Sequence, residues 1–156
     1  MLAQAAHAPI ENEYVRVVWA TDKPVSKPGN LHEHKQNRVM IYLDSGAIQI
    51  KYADGRVDDQ KWKAGDIAWS PSSGMHTSQN VGTSPVRIVE IEVRKGNAEM
   101  KAGAYKKIEN AQVHVYKASK APGAGKQYLA VNPVSGDAAW DALPSGGSSF
   151  VIVEMK

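Results

Sequence analysis

Short stretches of alternating apolar and polar residues dominate the first two thirds of the sequence. Segments rich in β-branched and aromatic residues occupy 13–20, 38–43, 46–52, 67–69 and 86–94. Such residues favour β-strands, and turn residues such as Asp54-Gly55 and Gly65-Asp66 separate them. Strands repeated about every 8–12 residues with turn signals between them are typical of β-sandwiches and barrels. The pattern therefore predicts an all-β fold.

Segment 86–94 carries the clearest alternation. Val89, Ile91 and Val93 share one side of the predicted strand, while Glu90 and Glu92 share the other. We expect the apolar side to face the core of the barrel. Both glutamates are then predicted to lie on an outer face, which leaves no paired carboxylates for catalysis inside the barrel.

Helix signals are weak throughout the chain. Segment 97–107 is compatible with one or two helical turns, but Gly103 argues against a longer helix.

A degenerate internal repeat organises the chain. The stretch ENEYVRVVWA from Glu11 recurs as ENAQVHVYKA from Glu109, and GDIAW from Gly65 recurs as GDAAW from Gly136. The C-terminal segment 150–156 also resembles 87–95, and three matches in the same order favour a true repeat. The offset falls from 98 to 71, so the second copy lacks about 27 residues. We expect it to pack on the first unit or to complete its sheets.

Composition narrows the functional classes. The 156 residues suit one domain, or one domain with a partial second unit, and 42% of them are apolar. The net charge is only +3, and no run of five like charges occurs, so the sequence predicts no nucleic-acid partner. It contains no cysteine, which excludes thiol nucleophiles and disulfide frameworks. No apolar run approaches the roughly 20 residues that span a bilayer, so we predict no membrane association.

The N-terminal stretch MLAQAAHAP leaves the localisation open. Its Ala3-Gln4-Ala5 pattern resembles a signal-peptide cleavage site, but no basic or long apolar region precedes it. It is either the start of an exported, periplasmic bacterial protein or a disordered cytoplasmic leader. His7 in this leader and His114 in the second copy are expected on the surface.

Two histidines stand one residue apart before the apolar run at 38–43. His32 and His34 share a face if they lie on a strand, and two imidazoles on one face could bind the same partner. A third histidine, His76, follows the turn that contains Gly74. The second copy has lost the equivalents of all three.

These residues resemble the two motifs of the cupin superfamily. The arrangement that resembles the first motif is Gly29, His32-x-His34 and Gly46; the one that resembles the second is Gly65-x5-Pro71, Gly74, His76 and Asn80. The resemblance covers about residues 12–95. It implies a double-stranded β-helix, a jelly-roll-like barrel, with a short C-terminal β extension. The predicted organisation is a flexible leader at 1–10, the barrel at 11–96, a linker at 97–108 and a partial cupin repeat packed on the barrel at 109–156.

The resemblance also implies a metal site. By motif, His32, His34 and His76 would bind a divalent metal, and imidazole ligands suit Fe, Zn, Ni or Cu. Three ligands leave open positions for water or substrate, which distinguishes a catalytic site from a structural one.

The sequence departs from the cupin pattern in two places. The usual glutamate of the first motif is absent, and Arg38 and Val39 stand in its place. The site would then hold its metal with three neutral histidines and favour hard ions such as Mn less. Alternatively it has lost the metal, and Arg38 receives a carboxylate or phosphate. In the second motif Gly74 has shifted by one position, whereas His76 keeps its distance of five from Pro71.

The resemblance and the residues together predict a metal-binding cupin. The leading hypothesis is a metal-dependent dioxygenase or isomerase that acts on a small organic molecule. The alternative is a non-catalytic cupin that binds a small acid or sugar. Candidate substrate-binding residues are Arg38, Tyr42 and Trp69, although the recurrence of Trp69 as Trp140 also suits core packing. Edge strands make a homodimer possible.

Overall fold

The computed structural model describes residues 7–156 and consists of strands and loops. The strands are β1 (Val15–Asp22), β2 (His32–His34), β3 (Asn37–Tyr42), β4 (Gly46–Tyr52), β5 (Val57–Trp62), β6 (Ile67–Ser70), β7 (Ser73–Asn80), β8 (Val86–Val93), β9 (Gly103–Tyr105), β10 (Ile108–Glu109), β11 (Val113–Ala118), β12 (Tyr128–Val131), β13 (Ala138–Trp140) and β14 (Phe150–Met155). The predicted all-β, jelly-roll-like fold is confirmed. Within the described residues, no helix exists that could cross a membrane.

The strands form three antiparallel sheets. Sheet A has the order β1-β8-β3-β6-β9, sheet B the order β2-β7-β4-β5, and sheet C the order β10-β11-β14-β12-β13. Sheets A and B enclose a small apolar cluster that includes Met40, Tyr42, Ile48 and Ile88. They form the barrel, and its interior holds a cavity.

Sheet C repeats the hydrogen bonding of sheet A. The side-chain oxygen of Asn12 accepts from the amide of Val15 at 3.0 Å, and that of Asn110 accepts from Val113 at 3.0 Å. These residues lie 98 positions apart, which is the offset read from the sequence. The asparagine turn that starts β1 is therefore repeated at the start of β11.

The turn at the second matched stretch is also repeated. The amide of Gly65 donates to the carbonyl of Tyr42, and the amide of Gly136 donates to the carbonyl of Asn132. Both glycines have positive φ, 90° and 80°, a conformation that L side chains rarely adopt. Sheet C thus has the hydrogen-bonding pattern of one wall of a barrel whose opposite wall is missing. The boundaries 11–96 and 109–156 stay predictions.

The largest buried core lies between sheets A and C rather than inside the barrel. Apolar side chains from both sheets form one cluster, with Val39, Ile91 and Val93 from sheet A and Leu129 and Val153 from sheet C among its members. The opposite face of sheet A therefore faces the cavity.

This core corrects the orientation expected for β8. Glu90 does not lie on an outer face; it lines the barrel cavity. The apolar side of β8 packs against sheet C, so its polar side turns into the barrel. The alternation of apolar and polar residues along β8 is confirmed. Its apolar face, however, packs against sheet C and not against the interior of the barrel.

Two local expectations are also wrong. The segment predicted to allow helical turns forms β9 instead, which pairs with β6 and extends the edge of sheet A. The side chain of His7 is buried rather than on the surface, because its ring stacks on Trp19 at 4.6 Å and its Nδ1 lies 3.2 Å from the Asp137 carboxylate. Residues 1–6 of the predicted leader lie outside the described residues.

Candidate metal centre

Two neighbouring strands of sheet B bring the three histidines together. His32 on β2 pairs in register with His76 on β7, and His34 pairs with Ser73 across a register irregularity. The ring centroid of His32 lies 4.9 Å from that of His34 and 4.5 Å from that of His76; His34 and His76 are 5.3 Å apart. One nitrogen from each ring lies within 4.8 Å of the others. This spacing is compatible with a single shared cation.

Backbone carbonyls fix the tautomers of two of these rings. His32 Nδ1 lies 2.8 Å from the carbonyl oxygen of Asn30, and His76 Nδ1 lies 2.7 Å from that of Gly74. A carbonyl oxygen only accepts hydrogen bonds, so each Nδ1 carries the proton. Each neutral ring then has a free lone pair on Nε2. This is the usual way in which a protein orients histidine ligands for a metal.

The electrostatics of the cluster favour the neutral form of two of the rings, His34 and His76. Burial, the nearby Arg38 charge and the other two histidines lower the pKa of His34 from 6.5 to about 4. Burial likewise lowers the pKa of His76, although its bond to the Gly74 carbonyl opposes the shift. Neutral imidazole is the form that binds metals, so little proton competition at these two rings is expected at pH 7.

The pKa of His34 predicts a pH dependence of the metal-free protein. In the unfolded chain His34 takes up a proton near its ordinary pKa of 6.5, whereas the folded ring resists protonation down to about 4. Stability is therefore present above pH 6.5 and falls as the pH drops through this window. Thermal unfolding in the presence of a chelator should show a smaller decrease in Tm between pH 6.5 and 4 for His34→Gln than for the unchanged protein. Equal losses would contradict the predicted shift.

The cluster opens onto a cavity of about 540 Å³ inside the barrel. Polar and charged side chains share its wall with aromatic and aliphatic ones; among them are Asp22, Arg38, Tyr42, Asp58, Trp62 and Glu90. Arg38 is buried, forms an ion pair with Glu90 and donates a hydrogen bond to the Ser70 hydroxyl at 3.1 Å. Its Nε has no hydrogen-bond partner among the described residues. Glu90 thus neutralises the positive charge of Arg38, the residue that stands in place of the usual motif glutamate.

The candidate substrate-binding residues have different environments. Arg38 and Tyr42 line the cavity, and the Tyr42 ring stacks on Trp62 at 4.0 Å. Trp69 borders the cavity too, but it is fully buried and belongs to the core between sheets A and C. A role in substrate binding stays a prediction for all three.

Sequence reasoning missed Asp22, Glu90 and Trp62 as parts of the cavity wall. Burial raises the pKa of Glu90, while the Arg38 charge opposes the rise. A polar residue alternating with buried apolar residues on β8 was the available signal for Glu90. For Asp22, at the end of β1, the sequence offered none.

Comparisons with solved structures agree with this architecture. No family model matches the sequence, and no curated protein sequence matches it significantly. A cupin domain from Bordetella pertussis is 20% identical, with 61% of this chain and 100% of that chain covered and a TM-score of 0.49. A deletion mutant of Bacillus subtilis oxalate decarboxylase is 13% identical, covers 92% of this chain and 68% of its own, and has a TM-score of 0.52. AerE from Microcystis aeruginosa is 11% identical, covers 95% and 89%, and has a TM-score of 0.52. Identities this low establish similarity of fold alone.

Proposed function

Because the chain has the cupin fold, we propose that it is a small metal-dependent enzyme that acts on a small organic molecule. His32, His34 and His76 would hold a divalent cation, and the adjoining cavity would receive the substrate. The observation that carries this proposal is the convergence of three imidazoles at one cavity, with ligand nitrogens within 4.8 Å of one another.

The donor set favours borderline cations. Three imidazoles without a carboxylate suit Fe(II), Ni, Cu or Zn better than hard ions. When bound, Fe(II) would supply dioxygen chemistry and Zn would polarise a carbonyl or hydroxyl group for isomerisation. The Bacillus subtilis oxalate decarboxylase has Mn(II) centres. Since Arg38 stands where the motif has its acid, we expect this chain to bind Mn(II) more weakly than Zn.

Elemental analysis of untagged protein tests the proposal. Protein stripped with chelator and reconstituted separately with Fe(II), Zn, Ni, Cu or Mn should retain about one ion per chain for at least one borderline metal. Metal contents well below one ion per chain for every cation would contradict it. An affinity tag must be absent, because a histidine tag binds the same ions.

The second candidate, a non-catalytic acid-binding protein, depends on Arg38. Its buried guanidinium lines the cavity and has one free N–H group. The ion pair with Glu90 weakens this candidate, since the arginine charge is already matched. Binding of a small carboxylate by metal-free protein that survives His32→Ala but is lost in Arg38→Ala would favour it.

A further inference from the structure

We propose that Asp22 is the acid–base residue of the cavity, which accepts the proton of a hydroxyl-bearing ligand bound at the three-histidine centre. This inference rests on the proposed function and names its substrate class: small molecules that present an ionisable hydroxyl group to the cation.

Asp22 is the one cavity-lining carboxylate, among residues 7–156, that is left without a partner. Four such carboxylates line the cavity: Asp22, Asp58, Asp59 and Glu90. Asp58 accepts a hydrogen bond from Gln60 Nε2, Asp59 accepts one from Gln49 Nε2, and Glu90 is paired with Arg38. In the described part of the chain, the Asp22 carboxylate has neither an ion-pair nor a hydrogen-bond donor. Its acceptor capacity is therefore available to a ligand.

The backbone of Asp22 is held in place from two sides. The residue ends β1, where it pairs with Val86 on β8. The buried Asn80 donates its side-chain amide to the carbonyl oxygen of Asp22 at 2.8 Å and to that of Ser84 at 2.9 Å. Asn80 is on β7, the strand that also carries His76, so the same strand positions the histidine and the carboxylate. We infer that Asn80 is a positioning residue for Asp22.

The surroundings of Asp22 suit proton transfer. Burial raises its pKa, and an electrostatic interaction with His32 on β2 opposes that rise. Its negative charge also acts on Tyr42 on β3 and on Glu90 on β8, which both face the same cavity. A carboxylate in such a setting takes up a proton more readily than an exposed one. The general base of a reaction needs this property at neutral pH.

The step itself is a simple proton transfer. The O–H bond of the ligand hydroxyl breaks, and the proton forms a new bond to a carboxylate oxygen of Asp22. The electron pair stays on the ligand oxygen, which becomes an anion, while Asp22 becomes neutral. No oxidant or reductant is required.

A coloured probe ligand tests this role without an activity assay. Zinc-reconstituted protein is titrated with 4-nitrocatechol near pH 6, and calorimetry in two buffers of different ionisation enthalpy counts the protons released on binding. Asp22→Asn should release about one more proton per bound ligand than the unchanged protein, because the proton has lost its acceptor. Affinity should also fall about tenfold, the effect of one pKa unit. Asp54→Asn is the control, a turn carboxylate outside the cavity that is already paired with Arg56, and should leave both values unchanged.

The outcomes separate this inference from the proposed function. Failure of the unchanged protein to bind zinc would count against the proposed function. Zinc-loaded protein that does not bind 4-nitrocatechol would overturn the substrate class inferred here. An unchanged proton count in Asp22→Asn, with zinc content intact, would overturn the role of Asp22. Asn80→Ala, with zinc content intact, should reproduce part of the effect, since it releases the backbone that holds the carboxylate.

Discussion

Replacing His76 with alanine is expected to lower the zinc content of the reconstituted protein from about one ion per chain to nearly zero. His76 is the buried member of the cluster, and its ring centroid lies 4.5 Å from that of His32 and 5.3 Å from that of His34. Its Nδ1 is committed to the Gly74 carbonyl, so its Nε2 is aligned before any cation binds. Loss of an outer-shell partner alone typically costs 10–100-fold in metal affinity. Loss of a ligand should cost at least about 100-fold.

The same substitution should abolish stabilisation by zinc. A ligand present at 100 times its dissociation constant raises the free energy of unfolding by about 2.7 kcal/mol. The unchanged protein should show this increase in denaturant titrations, and His76→Ala should not. His114→Asn is the matched control, because His114 is on sheet C outside the cluster, where it contacts Glu109 and Glu154.

A folding defect would be recognised separately. Circular dichroism of metal-free His76→Ala should match that of the metal-free parent, and His76→Gln provides a second variant that preserves side-chain bulk. A folded variant that retains one zinc per chain would mean that His32 and His34 bind without His76. The three-histidine centre would then be wrong.

Local patterns were enough to predict five of the strands, β1, β3, β4, β6 and β8. The apolar alternation at 46–52 and the turns at Gly55 and Gly65 recur at the same positions in the structure, because strand periodicity and positive φ are local properties. The sequence repeat likewise coincides with a repeated hydrogen-bond pattern. The sequence predicted that the second copy packs on the barrel, but it did not reveal that sheet C covers the apolar face of sheet A. That contact decides which face of β8 is buried, and it depends on side chains of sheet C, from Ile108 to Val153, that local periodicity does not take into account.

The residues of the candidate site also differ in whether local sequence is enough to find them. His32 and His34 are two residues apart on one strand, and His76 has a recognisable motif spacing, so all three could be found from the sequence. Asp22 and Glu90 reach the cavity only through strand pairing between β1, β8 and β3. Local periodicity places the side chains of Glu90 and Val89 on opposite faces of β8, but it does not determine which face lines the barrel.

Sheet C is also expected to affect the stability of the site. The strands that carry Arg38, Tyr42 and Glu90 into the cavity present their other side chains to the core shared with sheet C. Folding of the cavity wall and folding of the C-terminal segment should therefore be coupled. A change deep in sheet C is expected to destabilise the whole chain rather than the repeat alone.

Leu129→Ala should therefore lower the free energy of unfolding of the entire protein by about 3 kcal/mol. Leu129 is 0% exposed on β12, and it pairs with Trp140 and Val153 in the core between sheets A and C. Denaturant unfolding followed by tryptophan fluorescence, with zinc release as a second probe, should give one coincident transition at lower denaturant. Val134→Ala, at a position 76% exposed, is the control and should change stability by less than about 0.5 kcal/mol. If zinc release kept its original midpoint while fluorescence shifted, sheet C would unfold independently of the barrel, and the proposed coupling would be wrong.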